Sequence, residues 1–327
     1  MAEPPTASSF AGEDETIRTR TARGDSIRGT AMNKRPTTIL CVLSAVLALT
    51  TACGQGRAGT AVPKGDDAAT YVGVKFETAM NKLQETIGDQ RDVTSESGAY
   101  FRFDEKYVRS TISSARTGSP EGRVSRQRSQ KNPDDSIDWY TPADGPVEYV
   151  YLGPAYKSLA PTPWVSMLKS EAGLTIPCAW VGIITACKMA DAIAVSYNAD
   201  KKVVKGAKSL PDKRIELTAD VPFGKFIERR VEILPPSISG GITDEMKKAP
   251  VRTTVSLNSD GTLNQIVMDA KIEGNGHKIE LRYDFRFTGK ASTQDLPKLP
   301  DASQITVLPD KAAKDDFNRR FNELKGV

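Results

Sequence analysis

The chain reads as an α+β protein, one broad curved antiparallel sheet covering a few helices in a single domain. Near its end, His277, Ile279, Leu281, Tyr283, Phe285 and Phe287 alternate with Lys278, Glu280, Arg282, Asp284 and Arg286. One face is large and apolar and the other charged, the pattern of an antiparallel strand with one wet side. Just upstream, Val251, Thr253, Val255 and Leu257 alternate, Asn258-Ser259-Asp260-Gly261 turns the chain, and Ile266, Met268, Ala270 and Ile272 return it. Asn275-Gly276 then favours a tight type I′ hairpin. Clear helical spacing is confined to two places, Val72, Phe76, Ala79, Met80, Leu83 and Ile87, and Phe317, Phe321 and Leu324. A sheet with so broad an apolar face must curl and be covered.

The elements follow in order. Asp66-Asp67 can cap the first helix and Gly88 supplies its stop. Tyr100, Phe101 and Phe103 lead through Asp104-Glu105 into Tyr107, Val108 and Ile112, a hairpin. Residues 113–137 carry Arg116, Arg123, Arg126, Arg128 and Lys131 with few apolar anchors, and are expected to form a long loop or flap. Strands resume at Val147–Leu152 and around Trp164-Val165. The apolar stretch 178–195 fits a buried helix or a strand. Val203-Val204 and Ile215, Leu217, Ala219 and Val221 give two more strands, and a short strand near Ile305–Leu308 precedes the last helix.

Before the globular part stands a different kind of segment. Lys34-Arg35 leads into an apolar run from Ile39 to Ala52, about 14 residues, followed by Cys53. A spanning helix needs roughly 20 residues, so this is an export signal whose cleavage exposes a cysteine. Thr50-Thr51-Ala52-Cys53 resembles the lipobox of bacterial lipoproteins, with Leu49 one place further out than usual. That resemblance implies a signal peptide over 32–52, acylation of the Cys53 thiol (palmitate or a related chain), and an outward-facing protein anchored to the cell membrane. Residues 1–31 are polar and poor in large apolar side chains, expected to be disordered, with Met32 as the expected start. Residues 53–67 read as a flexible tether and 68–327 as the folded domain.

Lys and Arg number 45 against 41 Asp and Glu, giving net charge +4, too mild an imbalance to call for nucleic acid. Of the four cysteines, Cys41 leaves with the signal and Cys53 is the lipidation site. Cys178 and Cys187 remain as an even pair in an oxidising compartment, expected to form a disulfide, with two buried free thiols as the alternative. No cofactor or metal motif is present. The lone histidine, His277, sits beside a tight turn as a satisfied edge residue. Ser166-Met167-Leu168-Lys169 matches a Ser-x-x-Lys pattern without its companion triplets, and Asp260 lacks the other ligands of a calcium loop. No enzymatic activity is expected.

The order of elements resembles the LppX/LprG group of LolA-like lipoproteins. It is carried by the export segment, the amphipathic helix, Val147-Glu-Tyr-Val-Tyr-Leu-Gly153 with Trp164-Val165, Val251 to Gly261, the strand to Phe287, and Leu299-Pro-Asp301. The resemblance covers most of residues 68–309 and departs at Asn258, at 113–137 and at Cys178/Cys187. It implies a half-barrel with a cavity for the acyl chains of a lipid or lipoglycan, carried through the cell envelope by a monomer. The ligand-binding residues expected on that basis are Val72, Phe76, Met80 and Leu83 from the helix and Ile215, Leu217, Ile279, Leu281 and Phe285 from strands. The alternatives are an envelope interaction or sensor lipoprotein of the same fold without a cavity and, more remotely, a hydrolase using Ser166.

Overall fold

A computed structural model describes residues 66–169 and 177–325, all within one unit, Thr60–Val327. The expected signal peptide, Cys53 and the tether as far as residue 65 lie outside the described residues. Asp66 and Asp67 belong to helix α1 (Asp66–Thr86) and not to the tether.

The strands are β1 (Val93–Phe103), β2 (Lys106–Thr117), β3 (Gly122–Ser129), β4 (Ser136–Thr141), β5 (Val147–Leu152), β6 (Trp164–Leu168), β7 (Val204–Ser209), β8 (Ile215–Pro222), β9 (Pro250–Leu257), β10 (Leu263–Gly274), β11 (His277–Lys290) and β12 (Ile305–Val307). They form one open, curved sheet in the order β12-β6-β5-β4-β3-β2-β1-β11-β10-β9-β8-β7. Neighbours run antiparallel except at one edge, where β12 pairs parallel to β6, a departure from the all-antiparallel expectation. The β10–β11 hairpin turns through Asn275 and Gly276 at φ +52° and +76°, the left-handed pair that a type I′ turn requires.

Residues 113–137 are not a loop. They hold the end of β2, all of β3 and the start of β4, in the middle of the sheet. Sequence periodicity missed them because their inner face carries Ser114, Ser125, Gln127 and Ser129 in place of large apolar groups. Arg116, on the same face, is buried, its guanidinium donating to the Gly88 carbonyl at 3.0 Å. On the outer face Ala115 and Val124 pack under Ala291 and Leu296, which fold back over them.

Helices cover the inner face in two blocks. Following the register from Leu281 to Phe101 and Val108, then from Ser110 to Ser129 and from Gln127 to Ile137 and Leu152, stays on one side of the sheet. Over β1 and β7–β11 lie α1, α2 (Val181–Ala199), α3 (Phe223–Glu228) and α5 (Asp244–Lys248). Over β4–β6 lies the last helix, α6 (Lys311–Lys325), with Phe317 and Phe321 against Ile137, Val150, Leu152, Val165 and Met167. Between them the short helix α4 (Pro236–Ser239) follows an extended segment from Glu232. None of the described helices is long and apolar enough to cross a membrane.

Cys178 and Cys187 are bonded, tying the 3₁₀ turn Pro177–Ala179 to the second turn of α2. The closed loop is short, so the expected contribution is about 2–3 kcal/mol. A Cys178→Ser/Cys187→Ser double variant should show that loss in urea unfolding, and the wild type should show it on adding reductant. An unchanged midpoint would contradict the assignment.

Candidate functional site

Against α1, which lies along β7, and against the inner face of the sheet packs α2. Helix α2 is rich in Ala, Val and Ile over most of its surface, with Lys188 and Asp191 its charged residues. Its Ile183, Ala186, Met189, Ile193 and Tyr197 are buried, and the Tyr197 ring packs on Phe76 with centroids 5.2 Å apart. Tyr197 keeps its hydroxyl satisfied by donating to Glu77 Oε2 at 2.9 Å. Of the expected ligand-binding residues, Phe76, Met80, Leu83, Leu217, Ile279, Leu281 and Phe285 share this one core and none is more than 3% exposed. Val72 and Ile215 pack against its margin. The structure therefore brings the nine together, as protein core. None of them lines either of the two clefts described here.

One end of β1–β3 lies under the start of α2; the inner face is open where the two helical blocks leave the other end uncovered, around residues 99–110 and 127–129. Here lies a cleft of about 690 Å³, within the 300–1,000 Å³ range usual for small-molecule sites. Its floor is Ala99, Phe101, Val108, Ser110, Gln127 and Ser129. One wall is the Glu232–Ile238 segment, with Ile233, Leu234 and Pro235. The other is Ala155, Tyr156 and the end of α6, with Leu324 and Lys325. Three large apolar side chains stand half in water around it, Val108 at 56%, Ile233 at 49% and Leu324 at 51% exposed. Exposed singly such residues mean little, but their convergence on one cleft marks an apolar surface awaiting cover.

The cleft reaches the sheet's own gap. Residues 106–109 of β2 have no ladder partner in β3, and Lys106, Arg109 and Lys131 line the cleft where β2 runs past β3. Lys131 Nζ sits 5.0 Å over the Tyr107 ring. Opposite, the Tyr156 hydroxyl donates to Asp135, and burial together with that carboxylate pushes the phenol up. Lys325 Nζ lies 3.8 Å from Asp135, and burial holds its ammonium below the usual lysine value.

At the back of the cleft stands a partly buried carboxylate. Burial pushes Glu232 above its ordinary range. The Tyr283 hydroxyl and the Ile233 N–H donate to it and pull the other way. Burial, and then the Glu232 charge, push Tyr283 well up. Lys188 nearby is held down by burial and by Arg230. This group anchors the 232–238 wall to β11.

The other sequence candidates have local explanations. His277 Nδ1 bonds to Asp104 Oδ2 at 2.8 Å and its ring packs on Phe103, a satisfied edge histidine as expected. Ser166 is buried on β6, while the Lys169 ammonium donates to the Pro142 carbonyl at 2.8 Å. Asp260 accepts from the Thr262 amide and hydroxyl within its turn. Among the described residues no cluster of three or more His, Cys, Asp or Glu could hold a metal. The cleft itself was missed in the sequence. Its only written signals were Val108, an apolar residue at a strand end, and Ile233-Leu234 stopped by Pro235-Pro236.

No protein-family model matches the chain, and no curated protein matches it. Among solved structures it is similar to the Mycobacterium tuberculosis lipoprotein LppX, at 10% identity and a TM-score of 0.25 over 72% of this chain and 100% of that one. It is similar also to a DUF1329 family protein from Desulfovibrio piger, at 7% identity and TM-score 0.24 over 70% and 99%. A LolA superfamily protein from Nitrosomonas europaea matches at 12% and 0.22 over 71% and 97%. At these TM-scores the likenesses carry no weight on ligand or activity.

Two outcomes follow from the packing. Leu281→Trp inserts bulk into a filled core and should cost about 1–3 kcal/mol in denaturant unfolding; a variant as stable as wild type would reveal unfilled space beneath the sheet. For Glu232, a carboxyl whose native pKa is raised stabilises the fold fully below its unfolded value, ordinarily 4.5, and loses that contribution as pH rises through the native value. Wild type should therefore lose stability relative to Glu232→Gln as pH is raised from 4.5; a difference that is flat or grows would contradict the burial argument.

Proposed function

We propose that this is a lipoprotein of the cell envelope that binds an amphipathic, acyl-bearing lipid in the cleft over β1–β3. One observation supports this above others: Val108, Ile233 and Leu324 converge half-exposed on one cleft beside Lys106, Arg109 and Lys131. An acyl chain lying there would cover that apolar surface, at about 0.8 kcal/mol per buried methylene. An anionic headgroup would meet the three cations, two of which, Lys106 and Arg109, have no side-chain hydrogen bond or ion pair among the described residues. Export, acylation at Cys53 and an outward-facing membrane anchor belong to the same reading and rest on the segment from Lys34 to Cys53. Carriage of the lipid between membranes or partners is the physiological role proposed for that binding. Ionic recognition would be read by removing charge, tail recognition by adding it.

A second reading is favoured by the packed interior: an envelope interaction or sensor lipoprotein of the same fold that holds no ligand. Uptake of a fluorescent long-chain fatty acid by the mature, non-acylated chain distinguishes the two. The binding reading expects saturable uptake, weakened about tenfold or more by Ile233→Asp or Val108→Glu, since both sites are exposed and the fold should tolerate the change. Lys106→Glu/Lys131→Glu should reduce affinity for the fatty acid more than for the corresponding alcohol. Leu281→Trp should leave uptake intact in whatever fraction is folded. No uptake by wild type would favour the ligand-free reading, and loss of uptake in folded Leu281→Trp would return the site to the core.

A further inference from the structure

The outer face of the sheet carries a second depression, on the opposite side of β1 and β2 from the lipid cleft. Across β11, β1 and β2 the register sets three outward rows side by side: Arg282, Tyr100 and Arg109; Asp284, Gly98 and Thr111; Arg286, Glu96 and Ser113. The middle of this grid is a glycine. Glycine inside a central strand weakens it and often marks a close approach by something else. Here it leaves a hollow of about 360 Å³, walled by the surrounding side chains.

Who pairs with whom inside the grid is informative. Arg286 and Glu96 satisfy each other, with guanidinium nitrogens 2.6 and 3.2 Å from Glu96 Oε2. Asp284 is half-buried yet makes no hydrogen bond or ion pair among the described residues, although Arg282 and Arg286 stand two residues either side of it on the same face. Burial pushes its carboxyl above the ordinary range, against the pull of those two arginines. The Arg282 and Arg109 side chains likewise have no such partner among the described residues. The Tyr100 ring lies 6.4 Å from that of Tyr107, giving an aromatic edge to the hollow. A side chain at position 98 would place its Cβ 2.7 Å from Asp284 Oδ1, so the glycine is what allows the carboxylate to lie over the strand.

This is a mixed set: a free acceptor pair at the centre, free donors on the rim, hydroxyls at Thr111, Ser113 and Tyr100, and an aromatic flank. A phosphate or carboxylate would face Asp284 at close range, and a cation would face Arg109 and Arg282. A neutral ring bearing vicinal hydroxyls meets neither repulsion and can donate to Asp284 while accepting from the guanidiniums. We propose that the hollow over Gly98 binds a neutral saccharide unit. The same chemistry could be presented by a free glycan or by the glycan of a glycolipid. Arg109 also lines the lipid cleft, so the two sites meet at the exposed end of β2.

The test uses the mature chain on an array of neutral oligosaccharides, followed by titration calorimetry with the best binder. Saturable binding is expected, reduced about tenfold or more by Asp284→Asn, which keeps the shape but removes a charged acceptor, and abolished by Gly98→Val, which fills the hollow. Asp284→Asn should melt like wild type, which keeps the test informative should Gly98→Val fail to fold. Affinity unchanged by an appended dodecyl chain identifies a free glycan as the source; affinity raised more than about tenfold identifies a glycolipid. No binder on the array, or a binder indifferent to Asp284→Asn, overturns the proposal. Fatty-acid uptake should be the same in Asp284→Asn as in wild type, so failure of the saccharide site and failure of the lipid cleft are read separately.

Discussion

The packing of α2 into the sheet governs the rest of the molecule. A one-sided sheet of twelve strands presents more apolar surface than a single helix can cover, and water must be excluded from all of it. Helix α2 enters with apolar residues over most of its surface and shares one core with Leu217, Leu281, Phe285 and Phe101 of the sheet and Phe76 and Leu83 of α1. The disulfide fixes where it begins. At the other end of the sheet α6 does the same work with Phe317 and Phe321. What remains uncovered is the strip between these two blocks, and the cleft lies there.

That strip has the composition its exposure demands. Under most of the helices the inner face is Leu, Ile, Phe and Val, with Ser95, Ser114 and Ser125 buried beneath the start of α2; in the open strip it is Ser110, Gln127 and Ser129, with Val108 and Phe101 at the border. The cleft is therefore amphipathic along its floor. Lys106, Arg109 and Lys131 gather where β2 outruns β3, and the buried Glu232–Tyr283 contact holds the opposite wall. A site of this kind suits a ligand with a greasy body and a polar end better than a wholly apolar one, whose tail would be better housed in a closed cavity.

How far the sequence could be read follows from the same division. Strands β8–β11 were legible because each has a covered face and a wet one, so that Ile279, Leu281, Tyr283 and Phe285 alternate with charges. Helices α1 and α6 showed their stripes for the same reason. Strands β2–β4 were hidden within the apparent loop 113–137, because Ser114 and Ser125, buried under the start of α2, and Gln127, in the open strip, replace the apolar half of the pattern. Helix α2 was ambiguous because a buried helix has no polar face to reveal its period. The expected ligand residues lie in or against one core, but alternation cannot say whether an apolar face meets a ligand or another helix. The true cleft depends on Val108, Ile233 and Leu324, which are far apart in sequence and come together only through topology.

The most direct test is to photolyse a diazirine-bearing long-chain fatty acid bound to the mature chain and map the labelled peptides. Labels on residues 99–110, on 232–238 and near Leu324 are the predicted result. Labels confined to α1, α2 or the β8–β11 face beneath them would contradict it, because they would mean that the packed interior opens to hold the chain.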